Sequence, residues 1–202
     1  MLVDTRLFIQ EAALVTTCLL GDHLLKSSLA RQRYVVAVCD SVTHGLIGGI
    51  SWAILTNATL CRSDMFQCLV AMMLSMMVDV DHFLAAGSLS LKAALSLPSR
   101  PPFHASTVIL VTDIILLTLA TILKSHRLVT MVMMFTMSWF SHHLRDAERR
   151  GLWFYPLGNT PPLPKTVYIG IIVCMTIVFR YLFLYYVRPI AREKIVQTDG
   201  IV

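Results

Sequence analysis

Met65 to Met77 reads MFQCLVAMMLSMM, and apolar runs of this kind recur along the whole chain. A run of about 20 mostly apolar residues is what a helix needs to cross the hydrocarbon of a bilayer. A chain built from such runs has little freedom to fold as a water-soluble globule. Its 202 residues would suit one soluble domain, but 56% are hydrophobic and only 14% charged, and the mean hydropathy is +0.69. That polarity is too low for a soluble domain of this size. The sequence therefore predicts an all-α, multi-pass integral membrane protein forming a single domain.

Six spans are expected, at about residues 6–25, 34–56, 65–84, 104–124, 128–145 and 167–187. The N-terminal stretch lacks a basic segment followed by a clean apolar core and an A-x-A site, so it is read as a mature helix rather than a cleaved signal. Gln10 and Glu11 weaken it as a span. Residues 85–103 are too polar to cross. Leu89, Leu91, Leu95 and Leu97 around Lys92 suit a short interfacial or re-entrant helix halted at Pro98. Residues 188–202 are read as a C-terminal tail. GLIGG at 45–49 permits close approach of a neighbouring helix. Asp113 and Arg180, each inside an apolar run, are expected to pair with one another.

Cys18, Cys39, Cys61, Cys68 and Cys174 lie in or beside apolar runs with no C-x-x-C spacing. They are read as small packing residues rather than a disulfide framework or a zinc ribbon. The net charge of +5 could suit nucleic acid, but no basic stripe interleaved with aromatics accompanies it. Membrane lipids are the expected partner, nucleic acid is excluded, and protein partners are left unspecified. The two sets of loops carry similar numbers of Lys and Arg, so the positive-inside rule leaves orientation open.

The run at 65–77 ends in VDVDHF, three ionisable groups where a bilayer makes charge costly. In the expected topology, other such groups gather toward the same membrane face. They are Asp40 and His44, His104, and His142, His143 and Asp146, with Asp22 and His23 able to join from the first helix. Residues three or four apart share a helix face. Asp40 with His44, Asp79 with His82, and His142 with Asp146 can therefore each present a carboxylate and an imidazole in one direction. Such oxygen and nitrogen donors suit a divalent metal, zinc first, with manganese or iron as alternatives. The candidate ligands are His44, Asp79, Asp81, His82, His104, His142 and Asp146. His143 points about 100° away from His142 on a helix and is expected to lie outside that set. The competing reading is that Asp and His at helix ends act only as caps and dipole partners.

VDVDH, SRPPFH and SHHLRDAERRGLWFYPLG resemble segments of the bacterial inner-membrane, LexA-regulated family of metal-dependent-hydrolase-like proteins. The matching positions are Thr43-His44, Asp79 to His82, Arg100 with His104, and Ser141-His142 with Asp146. Val78 stands where that family has Pro, and Ser99 where it has a His, which removes one expected ligand. From Asp40 to Pro164, including VDVDHF, AGSLSLKAAL, SHH and GLW, the chain resembles the animal transmembrane protein 267 family more closely. That resemblance implies a multi-pass membrane protein without an assigned reaction. The His-x-x-x-Asp pattern is also similar to zinc-dependent phospholipases C, which implies a lipid-like phosphoester as substrate.

The leading expectation is a hydrolase-like metal site at one membrane face. Whichever of Asp79 and Asp81 does not bind metal would serve as base, and Arg100 would hold an anionic group, since its planar fork suits phosphate. The alternative is a non-enzymatic scaffold or trafficking protein in which the same residues form a structural clasp, a reading that Ser99 favours. A transporter ranks last, because no matching polar set lies at the opposite face.

Overall fold

The computed structural model describes residues 4–27 and 32–188; most of the tail expected at 188–202 lies outside them. The described residues are almost entirely helical. The helices are α1 (Thr5–Lys26), α2 (Arg33–Thr56), α3 (Arg62–Met77), α4 (Val80–Ala86), α5 (Leu91–Ala94), α6 (Ser106–Ile122), α7 (His126–Arg150) and α8 (Lys165–Leu182). A 3-10 turn covers Pro102–His104, and a π turn at Phe183–Val187 prolongs α8. Two-residue strands β1 (Trp153–Phe154) and β2 (Gly158–Asn159) pair antiparallel between α7 and α8.

Local chemistry sets the helix ends. Asp4 accepts from the Leu7 N–H at 3.2 Å to start α1, and the Ser125 hydroxyl caps α7 through the Leu128 N–H at 3.4 Å. α7 stops at Gly151, which has a left-handed φ of 71° and donates to Ala147 O at 3.0 Å. A Cβ at Gly151 would also lie 1.9 Å from Thr160 O. Only glycine fits there.

α2 runs through the middle of the bundle and packs on α1, α3, α7 and α8. GLIGG does bring backbones together. A Cβ on Gly48 would sit 2.7 Å from the Ser75 Cβ, and one on Gly49 would sit 3.1 Å from Cys68 O. Leu14, Cys18, Ile47, Ile54, Leu144, Tyr168 and Ile172 form one core cluster, and Trp52, Leu55, Ala71, Met133 and Met137 form a second. Large apolar side chains also face outward, among them Phe66, Leu69 and Met73 on α3 and Ile114, Ile115 and Ile122 on α6. Exposed apolar faces on that scale mark a membrane-facing surface.

The expectation of six spans is not met. Among the described residues, three helices are long and apolar enough to cross: Arg33–Thr56, Arg62–Ala86 and Lys165–Val187. At 17 residues α6 is apolar but short. It rises about 26 Å against a hydrocarbon core of about 30 Å. α1 carries Gln10, Glu11 and Asp22, and the last two turns of α7 carry Arg145, Asp146, Glu148, Arg149 and Arg150. Of those on α7, Arg145 and Asp146 serve contacts inside the bundle, while Arg150 is exposed.

The expected Asp113–Arg180 pair is likewise corrected. Arg180 binds Asp4 at 2.6 Å and Ile54 O at 2.7 Å, joining α8 to the start of α1 and the end of α2. Asp113 accepts instead from the Thr136 hydroxyl at 2.9 Å. Each side chain satisfies itself with a nearer partner. The five cysteines are all free thiols.

Candidate metal centre

The polar side chains singled out in the sequence meet at one end of the bundle. α2 supplies Asp40 and His44, one turn apart. Between α3 and α4 the chain tightens, with Asp79 N bonding Met76 O at 3.2 Å and His82 N bonding Asp79 O at 3.2 Å. These i to i−3 bonds interrupt the α-helical ladder and send Asp79 toward His142 on α7 and Asp81 and His82 toward His104. The turn before α6 brings His104, and α7 brings His142, His143 and Asp146.

Two donor groups meet at His142, one of Asp79, His104 and His142 and one of His44, His142 and Asp146. His104 Nε2 lies 3.6 Å from Asp79 Oδ1 and 3.6 Å from Asp146 Oδ2. His142 Nε2 lies 3.7 Å from Asp79 Oδ1 and 3.6 Å from Asp146 Oδ2. Within each group the donor atoms lie within 4.8 Å of one another, and their nitrogen and oxygen chemistry suits a divalent cation. His142 is fully buried, and its Nε2 makes no hydrogen bond. A buried nitrogen without a partner is costly, and a cation would satisfy it.

The other ring nitrogens fix these orientations. His142 Nδ1 donates to Ser75 O at 2.9 Å, which leaves Nε2 with its lone pair toward the centre. His104 Nδ1 lies 3.3 Å from Asp81 Oδ2, and the same oxygen accepts the Phe103 N–H at 2.7 Å. Asp81 therefore orients His104 and fastens its loop, as carboxylates behind metal-bound histidines do. Asp81 Oδ1 faces His82 Nδ1 at 3.2 Å, and Asp81, His82 and His104, all expected as ligands, form a third group of donors within 4.8 Å of one another that could hold a cation. His143 donates from Nε2 to Phe103 O at 2.9 Å and accepts from the Ser106 hydroxyl at 3.1 Å. It holds the loop rather than facing the four donors.

The field at the centre favours positive charge. Burial opposes charge on His104, but hydrogen bonds to Asp79 and Asp81 and the charge of Asp146 outweigh it and raise its pKa to about 9. Burial would raise the Asp146 carboxyl, yet contacts with His142 and His44 hold it well below the usual carboxylate range.

Arg100 donates to Gly151 O at 3.0 Å and Asn159 Oδ1 at 3.4 Å. With His104, Ser106, His143, Asp146 and Trp153 it lines a cleft of about 10 Å³, room for about one water. Asp22 joins from α1, whereas His23 is exposed and takes no part. Sequence reading missed Arg145 and Arg149. Arg145 binds Asp22 at 3.2 Å and Asp40 at 2.6 Å, and Arg149 binds Asp40 at 3.0 Å and also Asp146. Their signal was the spacing in HHLRDAERR, where Arg145 and Arg149 share a helix face with His142 and Asp146.

Among known proteins, the chain is 39% identical over 170 residues to transmembrane protein 267 of Mus musculus, covering 82% of this chain and 78% of the relative. It is 40% identical over 156 residues to the protein of that name in Xenopus laevis, covering 76% and 72%. With that of Danio rerio it shares 40% identity over 164 residues, covering 80% and 73%. No protein-family model and no solved structure matches the chain, which leaves the expected likeness to the bacterial LexA-regulated family unsupported. The named relatives and the apolar helices together make the chain an integral, multi-pass membrane protein.

Proposed function

The chain belongs to the transmembrane protein 267 family, and we propose that it binds a divalent cation, zinc first, through Asp79, His104, His142 and Asp146 and uses it to hydrolyse a lipid-like phosphoester. The observation that carries the metal reading is the buried His142 Nε2, which makes no hydrogen bond and lies 3.7 Å from Asp79 and 3.6 Å from Asp146, beside His104. The hydrolytic reading rests on the donor set, which suits a Lewis acid, and on its place in a membrane protein.

Such a cation supplies Lewis acidity toward a phosphoryl oxygen and lowers the pKa of a nearby water. The protein's residues do the rest. Asp79, the most exposed of the four donors at 32% of its side chain, can take the proton of the attacking water through its free oxygen. Arg100, at the edge of the cleft, faces the anionic group of the ester. Water oxygen bonds to phosphorus, the ester P–O bond breaks, and the departing alkoxide takes up the proton that Asp79 accepted from the water. Asp81 and His143 keep His104 in place.

A non-enzymatic clasp is the second reading, and the narrowness of the cleft favours it. The test is metal content by plasma mass spectrometry on detergent-purified protein, beside His142→Ala and Asp146→Asn. Stoichiometric metal that is lost in both variants supports the centre, and turnover of phosphoester lipids that is lost with it supports the hydrolase. Well-folded protein without metal refutes both metal readings. Stoichiometric metal without turnover of any phosphoester leaves the structural clasp.

A further inference from the structure

A second cavity, of about 320 Å³, opens between the end of α1, the start of α2 and the end of α7. It shares no residue with the cleft beside Arg100, and its volume falls within the roughly 300–1,000 Å³ of small-ligand sites. Lys26, Arg145 and Arg149 line it together with Asp22 and Glu148, and Leu25 and Val36 add apolar surface. Three cations and two carboxylates in one lining suit a ligand that carries both signs of charge. Arg145 is 1% exposed. Its Nε and Nη1 bind Asp22 and Asp40, but its Nη2 makes no hydrogen bond. A buried guanidinium nitrogen left in that state is costly, and a phosphate oxygen would satisfy it.

We propose that this cavity takes the headgroup of an ethanolamine phospholipid, a phosphodiester that bears a primary ammonium. The reading is independent of any metal. α2 is one of the helices long and apolar enough to span, and the cavity lies at its start, the level at which headgroups meet a span. The phosphate faces Arg145 Nη2, Lys26 and Arg149, and the ammonium faces Glu148. Lys26 is 65% exposed and meets Glu148 through Oε1 at 3.1 Å. Such an exposed pair is weak and opens readily, and Oε2 of Glu148 is left for an ammonium. Helix ends act in the same sense, since the start of α2 favours an anion and the ends of α1 and α7 favour a cation. Choline is the poorer fit, because a quaternary ammonium is held by aromatic faces, and no aromatic side chain among the described residues lines the cavity.

Native mass spectrometry of delipidated protein in detergent tests this. Phosphatidylethanolamine, phosphatidylcholine and phosphatidylglycerol with the same acyl chains are titrated in turn, with glycerophosphoethanolamine as the free headgroup. One phosphatidylethanolamine per chain is expected, bound several-fold more tightly than the other two lipids and than the free headgroup. Glu148→Gln should lose the preference over phosphatidylglycerol while still binding lipid, and thermal unfolding close to that of the parent shows that the variant is folded. Arg149→Met should weaken all three lipids several-fold. Phosphatidylcholine bound as tightly as phosphatidylethanolamine overturns the assignment of the amine, and a preference that persists unchanged in Glu148→Gln overturns the assignment of the cavity. A free headgroup bound as tightly as the lipid makes the ligand a soluble phosphoester and overturns the lipid reading. Folded protein that binds no phosphatidylethanolamine overturns the proposal and leaves the metal reading untouched.

Discussion

Replacing Arg145 with Met isolates the polar network that supports the centre. The Arg145 side chain is 1% exposed and binds Asp22, itself 2% exposed, at 3.2 Å and Asp40 at 2.6 Å. Methionine keeps most of the volume and removes the charge. Losing one partner of a buried ion pair costs about 3–5 kcal/mol, because the other charge stays buried without compensation. Here the loss is softened. Asp22 keeps the Tyr168 hydroxyl and Lys165 at 3.6 Å, and Asp40 keeps Arg149. The lower end, about 3 kcal/mol, is therefore expected. For a chain of this size that is a fall of about 6–12 °C in Tm, read by thermal unfolding in detergent. Adding Asp22→Asn removes the stranded charge, so the double variant should be more stable than Arg145→Met alone. A drop below about 1 kcal/mol, the range of an exposed pair, would refute the reasoning, as would a double variant less stable than the single.

Asp81→Asn should weaken metal binding by about 10–100-fold without abolishing it, since the residue orients His104; competition with a chelator measures this. Trp52→Ala empties a fully buried site in the second core cluster and should cost about 3–5 kcal/mol, visible as a lowered Tm. Gly48→Val forces a side chain against Ser75 and the Ala71 carbonyl, and should cost about 1–3 kcal/mol in the same assay. Gly151→Ala, with its Cβ 1.9 Å from Thr160 O, should displace the 151–160 hairpin and disturb the cleft beside Arg100. Protease sensitivity of that hairpin should rise.

Composition and run length alone determined that this chain is a helical, multi-pass membrane protein, because burying so many apolar residues in 202 leaves no polar shell for water. Spacing alone placed Asp40 with His44 and His142 with Asp146 on common helix faces, and those pairs do meet, whereas Asp79 and His82 take different partners. Hydropathy overcounted the spans. A window over 128–145 averages the apolar start of α7 with a polar end and cannot register that the polar end faces other helices rather than lipid. It was also tertiary packing that chose partners. Arg180 was assigned Asp113 by likeness of depth, but Asp4, 176 residues away, lies nearer once α1 packs beside α8. Asp81 and Asp79 are indistinguishable as letters two apart. Only the tight turn at 78–82, between α4 and the α3 that packs on α7, aims one at the donor centre and the other at the back of His104. Sequence specifies which groups a segment carries and how far apart they lie along it. Which oxygen meets which nitrogen depends on distances across the bundle, and those exist only after the helices have packed.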